Sequence, residues 1–375
     1  MNGLGDESCC SPMLVPSKEA KLLLMLEFPA HVQWAHVTRC ALATLAIITS
    51  IAAGDLAAGE YQPDRFDINR VVGYEQCQKC HLQQVSVLQQ HPHYLGGRSF
   101  HRRDDAKAMA KKLGYSSVKR SDLCMKCHYT PKQEGDRVKA VSGVSCESCH
   151  GPARDWIQVH NNYGPLMTKE SESPEHRAAR IDNSISRGMN PPGHLYSLAR
   201  ACVRCHVIND ERLVNEGGHP ASSKNFEFVA WSQGNVRHNF LRTDGRWNQP
   251  SDIERRRVMY VVGLLAELEA SLRATAKAKE KADFAFKHAA RSHELRNAAM
   301  QLARKTEHPL IQKAAEAGNS AKLKLGNSEE MIAAADSLSR LAWQIANEVD
   351  GKSLEGIDSL LPGPAAIMGN AMGGK

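Results

Sequence analysis

Phe, Trp and Tyr together make up only 6% of the 375 residues. A chain of this length can bury two modest cores, but with so few large rings it needs another source of apolar bulk. A disulfide framework is also missing. Eight of the eleven cysteines fall in four regular clusters, and the other three, Cys9, Cys10 and Cys40, sit near the N-terminus. No apolar run reaches the ~20 residues that cross a bilayer as a helix. Little of the sequence alternates with a period of two, so there is no convincing strand signal. Between residues 251 and 350 glycine becomes rare as well.

What is present is a five-residue pattern repeated four times. Cys77-Gln-Lys-Cys80-His81, Cys124-Met-Lys-Cys127-His128, Cys146-Glu-Ser-Cys149-His150 and Cys202-Val-Arg-Cys205-His206 are complete Cys-x-x-Cys-His motifs. Zinc knuckles and thioredoxin-like redox pairs also use Cys-x-x-Cys, but neither demands the fifth residue. With 17 histidines in 375 residues, four such histidines would follow by chance on the order of a few times in a million, whereas covalent haem attachment requires each one. The two cysteines add across the haem vinyl groups, and the histidine held beside them reaches the iron from one face. Four covalent haem c groups are therefore expected, with His81, His128, His150 and His206 as proximal ligands. A porphyrin is a larger apolar plate than any side chain, so the haems supply the bulk that the scarce aromatics do not.

The formal charge is +7. Residues 1–58 hold three basic and five acidic residues, so the remainder carries +9. Four ferric haems, each with two propionates, bring about −4, which accounts for much of that excess without nucleic acid as a partner.

Along the chain, Arg39 precedes an apolar run at residues 40–53 and then Ala57, Ala58 and Gly59. This order matches a secretory signal cleaved near Ala58; translation from Met25 would give the leader an ordinary length. Export places the product in the periplasm with no span left in the membrane. Residues 59–250 hold the four motifs among short helices and Gly- and Pro-bearing loops. Residues 251–351 change to an Ala, Leu, Lys, Glu and Arg mixture with apolar spacings of three and four. Asp252 and its neighbours form a capping box, after which one long helical pattern is expected to about Thr306. Two more helical stretches follow, at residues 308–317 and after Asn327-Ser328. The fold class is thus mainly α: a multihaem cytochrome domain with little regular structure, followed by an α-helical bundle or hairpin. Its apolar stripes need a partner, either the haem domain or a second copy of the chain. Residues 352–375 are expected to be unstructured. The short link between His128 and Cys146 also implies that the second and third haems lie close together.

Each iron has a second face, and its occupant decides between electron carrier and enzyme. His91, His93, His101, His160, His176, His194, His219 and His238 compete for at most four places. His160, ten residues past His150, should serve a neighbouring haem. Pro92 stiffens the His91/His93 pair, so only one of the two is expected at an iron. Gly217 and Gly218 let the chain approach a porphyrin beside His219. His288 and His293 read as structural.

The stretch Gly143-Val-Ser-Cys146-Glu-Ser-Cys149-His150-Gly-Pro, with His160 ten residues on, resembles the third-haem segment of the tetrahaem cytochrome c-554 family. Residues 74–160 carry the resemblance, and the fourth motif follows only in order. It implies electron transfer from a hydroxylamine-oxidising enzyme, a distal role for His93, and His160 as the partner of the first haem. It also implies that the second haem is five-coordinate. Leu88 stands where the family has tryptophan, and the segment after Ser251 has no counterpart in the small cytochrome. The distal candidates are His93, His160, His219 and His238, with the choices between His91 and His93 and between His219 and His238 open. The expected function is electron transfer between periplasmic donor and acceptor proteins. The alternative is a multihaem oxidoreductase acting on a small nitrogen or sulfur species at a five-coordinate haem.

Overall fold

The structure is a computed structural model that describes residues 66–165 and 168–368. The expected signal segment, Met25, Cys9, Cys10, Cys40 and the cleavage region at Ala58 lie outside the described residues.

Short helices joined by turns run from residue 68 to residue 235, and long helices follow. The mainly α class is what the chain adopts. Five helices organise it: α1 (Leu195–His206), α2 (Ile253–Lys277), α3 (Asp283–Thr306), α4 (Pro309–Asn319) and α5 (Ser328–Glu348). The Asp252 carboxylate starts α2 by accepting from the Arg255 amide at 2.7 Å. Val261, Val262, Leu265, Leu268 and Leu272 of α2 are all at most 1% exposed. They pack against Leu295 and Leu302 of α3, Ile311 of α4, Leu338 and Ile345 of α5, and Leu195, Tyr196 and Ala199 of α1. The core thus joins the helix bearing the fourth motif to the C-terminal helices. Polar links reinforce the junction: Glu269, 1% exposed, accepts from Tyr196 Oη at 2.6 Å and from the Arg200 guanidinium, and Arg273 joins Glu269 to Asp336.

Three features differ from the sequence-based expectation. First, a hairpin forms between β1 (Thr130–Glu134) and β2 (Arg137–Ser142), antiparallel, with Glu134 opposite Arg137. Gly135 supplies the positive φ of 57° that the two-residue turn needs. Second, the helical pattern expected to run unbroken to Thr306 is interrupted at residues 278–282. There the Glu211 carboxylate accepts from the amides of Lys279 and Glu280 at 3.0–3.1 Å, and Asn215 Oδ1 accepts from that of Phe284 at 2.9 Å. Third, the tail is structured through residue 368: Gly351–Leu360 forms a 3-10 helix and Pro364–Met368 a helical turn. Leu354, Ile357 and Ile367 enter the main core, Arg257 holds Asp358 at 2.7 and 2.8 Å, and Arg237 donates to the Ile367 carbonyl. No helix among the described residues is long and apolar enough to cross a membrane.

Candidate haem sites

Each motif lies on or just past a short helix, which brings its cysteines and histidine to one side. Ser121 caps the second motif's helix, Asp122–His128, by accepting from the Cys124 amide. Ser145 and Ser148 form a capping box around the third, Cys146–His150. Thr130, the first residue of β1, bonds Ser145 at 2.8 Å and Ser148 at 3.1 Å, so the hairpin leads directly from the second motif to the third. Glu147, inside the third motif and 1% exposed, accepts from the amides of Val72, Gly73 and Ala153 at 2.8–2.9 Å. Its carboxylate thereby ties the third motif to the start of the first motif's helix, Tyr74–Gln78. Nothing in the motif spacing marked Glu147 for that task. A Cβ on Gly143 would collide with the His93 and Tyr94 carbonyls, so glycine there lets the helix Pro92–Ser99 lie against the entry to the third motif.

The motif histidines each face a second histidine. Ring centroids are 6.3 Å apart for His81 and His160, 6.3 Å for His128 and His219, 6.1 Å for His150 and His238, and 6.0 Å for His206 and His93. A metal–nitrogen bond of about 2 Å and about 1 Å from nitrogen to ring centre put two imidazoles on opposite sides of one metal roughly 6 Å apart. All four separations fit that arrangement. The other candidates have different surroundings. His91 Nδ1 accepts from the His93 amide and starts the helix Pro92–Ser99. His176 pairs with Glu172 at 2.7 Å, and His194 sits edge-on to Trp343. His101 keeps Nδ1 buried without a partner. His288 lies in the protein interior and His293 meets Asn297. At the second motif, for which the resemblance implies a five-coordinate haem, the His219 ring lies 6.3 Å from that of His128, and Phe100 stacks on His128 at 3.8 Å.

A ring that binds iron through Nε2 must be neutral and carry its proton on Nδ1. His160 Nδ1 lies 2.7 Å from the Ile157 carbonyl, His150 Nδ1 2.9 Å from that of Asn190, His238 Nδ1 2.7 Å from that of Val236 and His219 Nδ1 2.8 Å from that of Pro220. His206 Nδ1 instead lies 2.7 Å from the hydroxyl of Ser223. Burial lowers the imidazoles of His81, His93, His160 and His238 below their ordinary value, and takes those of His128, His150 and His206 down to about 4. His238 is exposed at its edge, yet burial of the ring by surrounding protein lowers its pKa.

Two motif-bearing stretches lack apolar packing of their own, as would suit a plate-shaped apolar group packed among them. No residue of 66–99 or 141–190 belongs to a hydrophobic core cluster, although these stretches hold two of the motifs and their neighbours. Trp156, edge-on to His160 at 5.2 Å, keeps a buried Nε1–H without a partner, a donor that a haem propionate could satisfy. Among the described residues no three His, Cys, Asp or Glu side chains converge as a zinc site requires. Across motifs, the thiols of Cys77 and Cys146, of Cys127 and Cys205, and of Cys149 and Cys202 influence one another electrostatically.

A family model described as cytochrome c554 and c-prime matches residues 76–151, the stretch with the first three motifs. That stretch is similar to the multihaem cytochromes c, a likeness that implies covalently bound haem. No curated protein and no solved structure matches the chain.

Proposed function

We propose that the chain is an exported tetrahaem c-type cytochrome that carries electrons between periplasmic donor and acceptor proteins. The observation that carries this reading is the set of four facing imidazole pairs, 6.0–6.3 Å apart. Haem supplies reversible one-electron chemistry at iron. The chain's part is to hold that iron between His81 and His160, His128 and His219, His150 and His238, and His206 and His93. Iron held on both faces offers no place for a substrate, which favours the carrier over an enzyme with an open haem. The basic balance left after residue 58 offsets the propionate charge, so it gives no reason to invoke nucleic acid as a partner.

The test is the purified, fully matured protein. Four haem additions by mass spectrometry and a wholly low-spin EPR spectrum are expected. His160→Ala should make one haem high-spin while leaving all four attached. A high-spin fraction in the wild type that shifts on adding hydroxylamine or nitrite would turn the reading toward the enzyme.

A further inference from the structure

We propose that Ser223 sets the reduction potential of the haem on the fourth motif through the imidazole of His206, an inference that rests on the four-haem carrier reading. His206 ends α1, and the chain then doubles back so that residues 221–223 run beside residues 206–208. The Ile208 amide donates to the Ala221 carbonyl at 2.8 Å, and the Ser223 amide to the His206 carbonyl at 2.9 Å. The side chain of the same serine places Oγ 2.7 Å from His206 Nδ1. Ser223 therefore grips His206 at two points, and the backbone point survives any change of side chain. Phe226 stacks on the ring at 4.6 Å and 14°, and Trp231 closes its edge at 4.8 Å. With so little room to turn, the ring keeps Nδ1 aimed at the hydroxyl.

His150, His160, His219 and His238 rest on backbone carbonyls, which no substitution removes. Among the described residues His206 is the motif histidine whose Nδ1 meets a side-chain hydroxyl. With Nε2 committed to iron, the proton is on Nδ1 and Ser223 Oγ accepts it. Accepting that bond makes the imidazole a better electron donor, favours the ferric over the ferrous state and holds the potential down. The proton stays on Nδ1 in both states, so one electron from the reductant is all that changes at this site. Ser223 also borders a cavity of about 350 Å³ with Ser222, Lys224, Glu227, Arg291 and Glu294. A substitution there alters a partly exposed position and leaves the core intact.

The experiment is a redox titration of the matured protein, followed haem by haem, with Ser223→Ala, Ser223→Thr and Ser223→Val. Ser223→Ala should keep four low-spin haems and raise one midpoint, shifting the oxidised-to-reduced ratio at the wild-type midpoint roughly fivefold toward reduced, the equivalent of one hydrogen bond. Ser223→Thr, which keeps the hydroxyl, should restore the wild-type value. If Ser223→Ala matures poorly, the comparison of Thr with Val decides, because the two have the same shape and only Thr carries a hydroxyl. Four unchanged midpoints in Ser223→Ala, or Thr and Val shifted equally, would overturn the proposal. Fewer than four haems or a high-spin haem in the wild type would instead overturn the carrier reading, and the proposal with it.

Discussion

Burial holds the His288 imidazole at about 4 instead of its ordinary 6.5. Phe284 lies edge-on at 4.6 Å and neither ring nitrogen has a well-formed partner, so the nearby Ile208 carbonyl offsets only part of the desolvation. The unfolded chain takes up this proton near pH 6.5 and the folded chain only near pH 4. The stability that the neutral ring allows is therefore complete above 6.5 and is lost as pH falls toward 4, by up to about 3 kcal/mol. His288→Phe should remove that part of the dependence, measured as the difference in denaturation midpoint between pH 7 and pH 4.5. Equal differences in variant and wild type would show that the ring does not titrate as described. Sequence alone assigned His288 a structural role, because it sits on an apolar stripe away from any motif. It also singled out the four motifs, since their covalent chemistry is local. The partner of each motif histidine was harder to read. His160 was pointed to by resemblance, but nothing local links His93 to His206, because that pairing is made only when distant segments fold together.

The interruption between α2 and α3 shows why element boundaries resist reading. Residues 278–282, Ala-Lys-Glu-Lys-Ala, contain neither glycine nor proline and favour helix. They leave it because Glu211 and Asn215, far away in sequence, take up the amides at the turn. Glu211→Ala should leave those groups to water and cost about 1 kcal/mol, as for a lost helix cap. It should also speed amide exchange in the first turn of α3 while leaving α5 unchanged; equal exchange there in variant and wild type would remove Glu211 from this role. The hairpin was missed for a different reason. β2 alternates only over Arg137-Val138-Lys139-Ala140 before Val141 breaks the period, none of its residues is buried, and beside it only the Gly135-Asp136 pair marks a turn. The tail was misjudged because its glycines and prolines hid Leu354, Ile357 and Ile367, each of which fills space in the core.

At the scale of the whole molecule, apolar packing is uneven. The large core lies among α1 to α5, and residues 66–99 and 141–190 have no cluster of their own. A chain with all eight motif cysteines replaced by alanine should therefore keep helical circular dichroism from the C-terminal helices. Its amides at 66–99 and 141–190 should exchange freely. Protection in those stretches equal to that of the matured protein would mean that they fold without haem. Cutting the chain at Pro250 is a different matter, because Leu195, Tyr196 and Ala199 would lose the surfaces they pack against.

The crossing of the histidine pairs gives synthesis a direction. A chain made from its N-terminus delivers His81 long before His160, His128 before His219, and His150 before His238. His93 alone waits for a motif still to come. Under the proposed four-haem reading, the histidine that would pair with each of the first three motifs is made after its motif, and His93, which would pair with the fourth, is made before it. Haems attached before the later histidine arrives would be open to small ligands such as carbon monoxide or nitric oxide, and His160, His219 and His238 would close the first three motifs in that order.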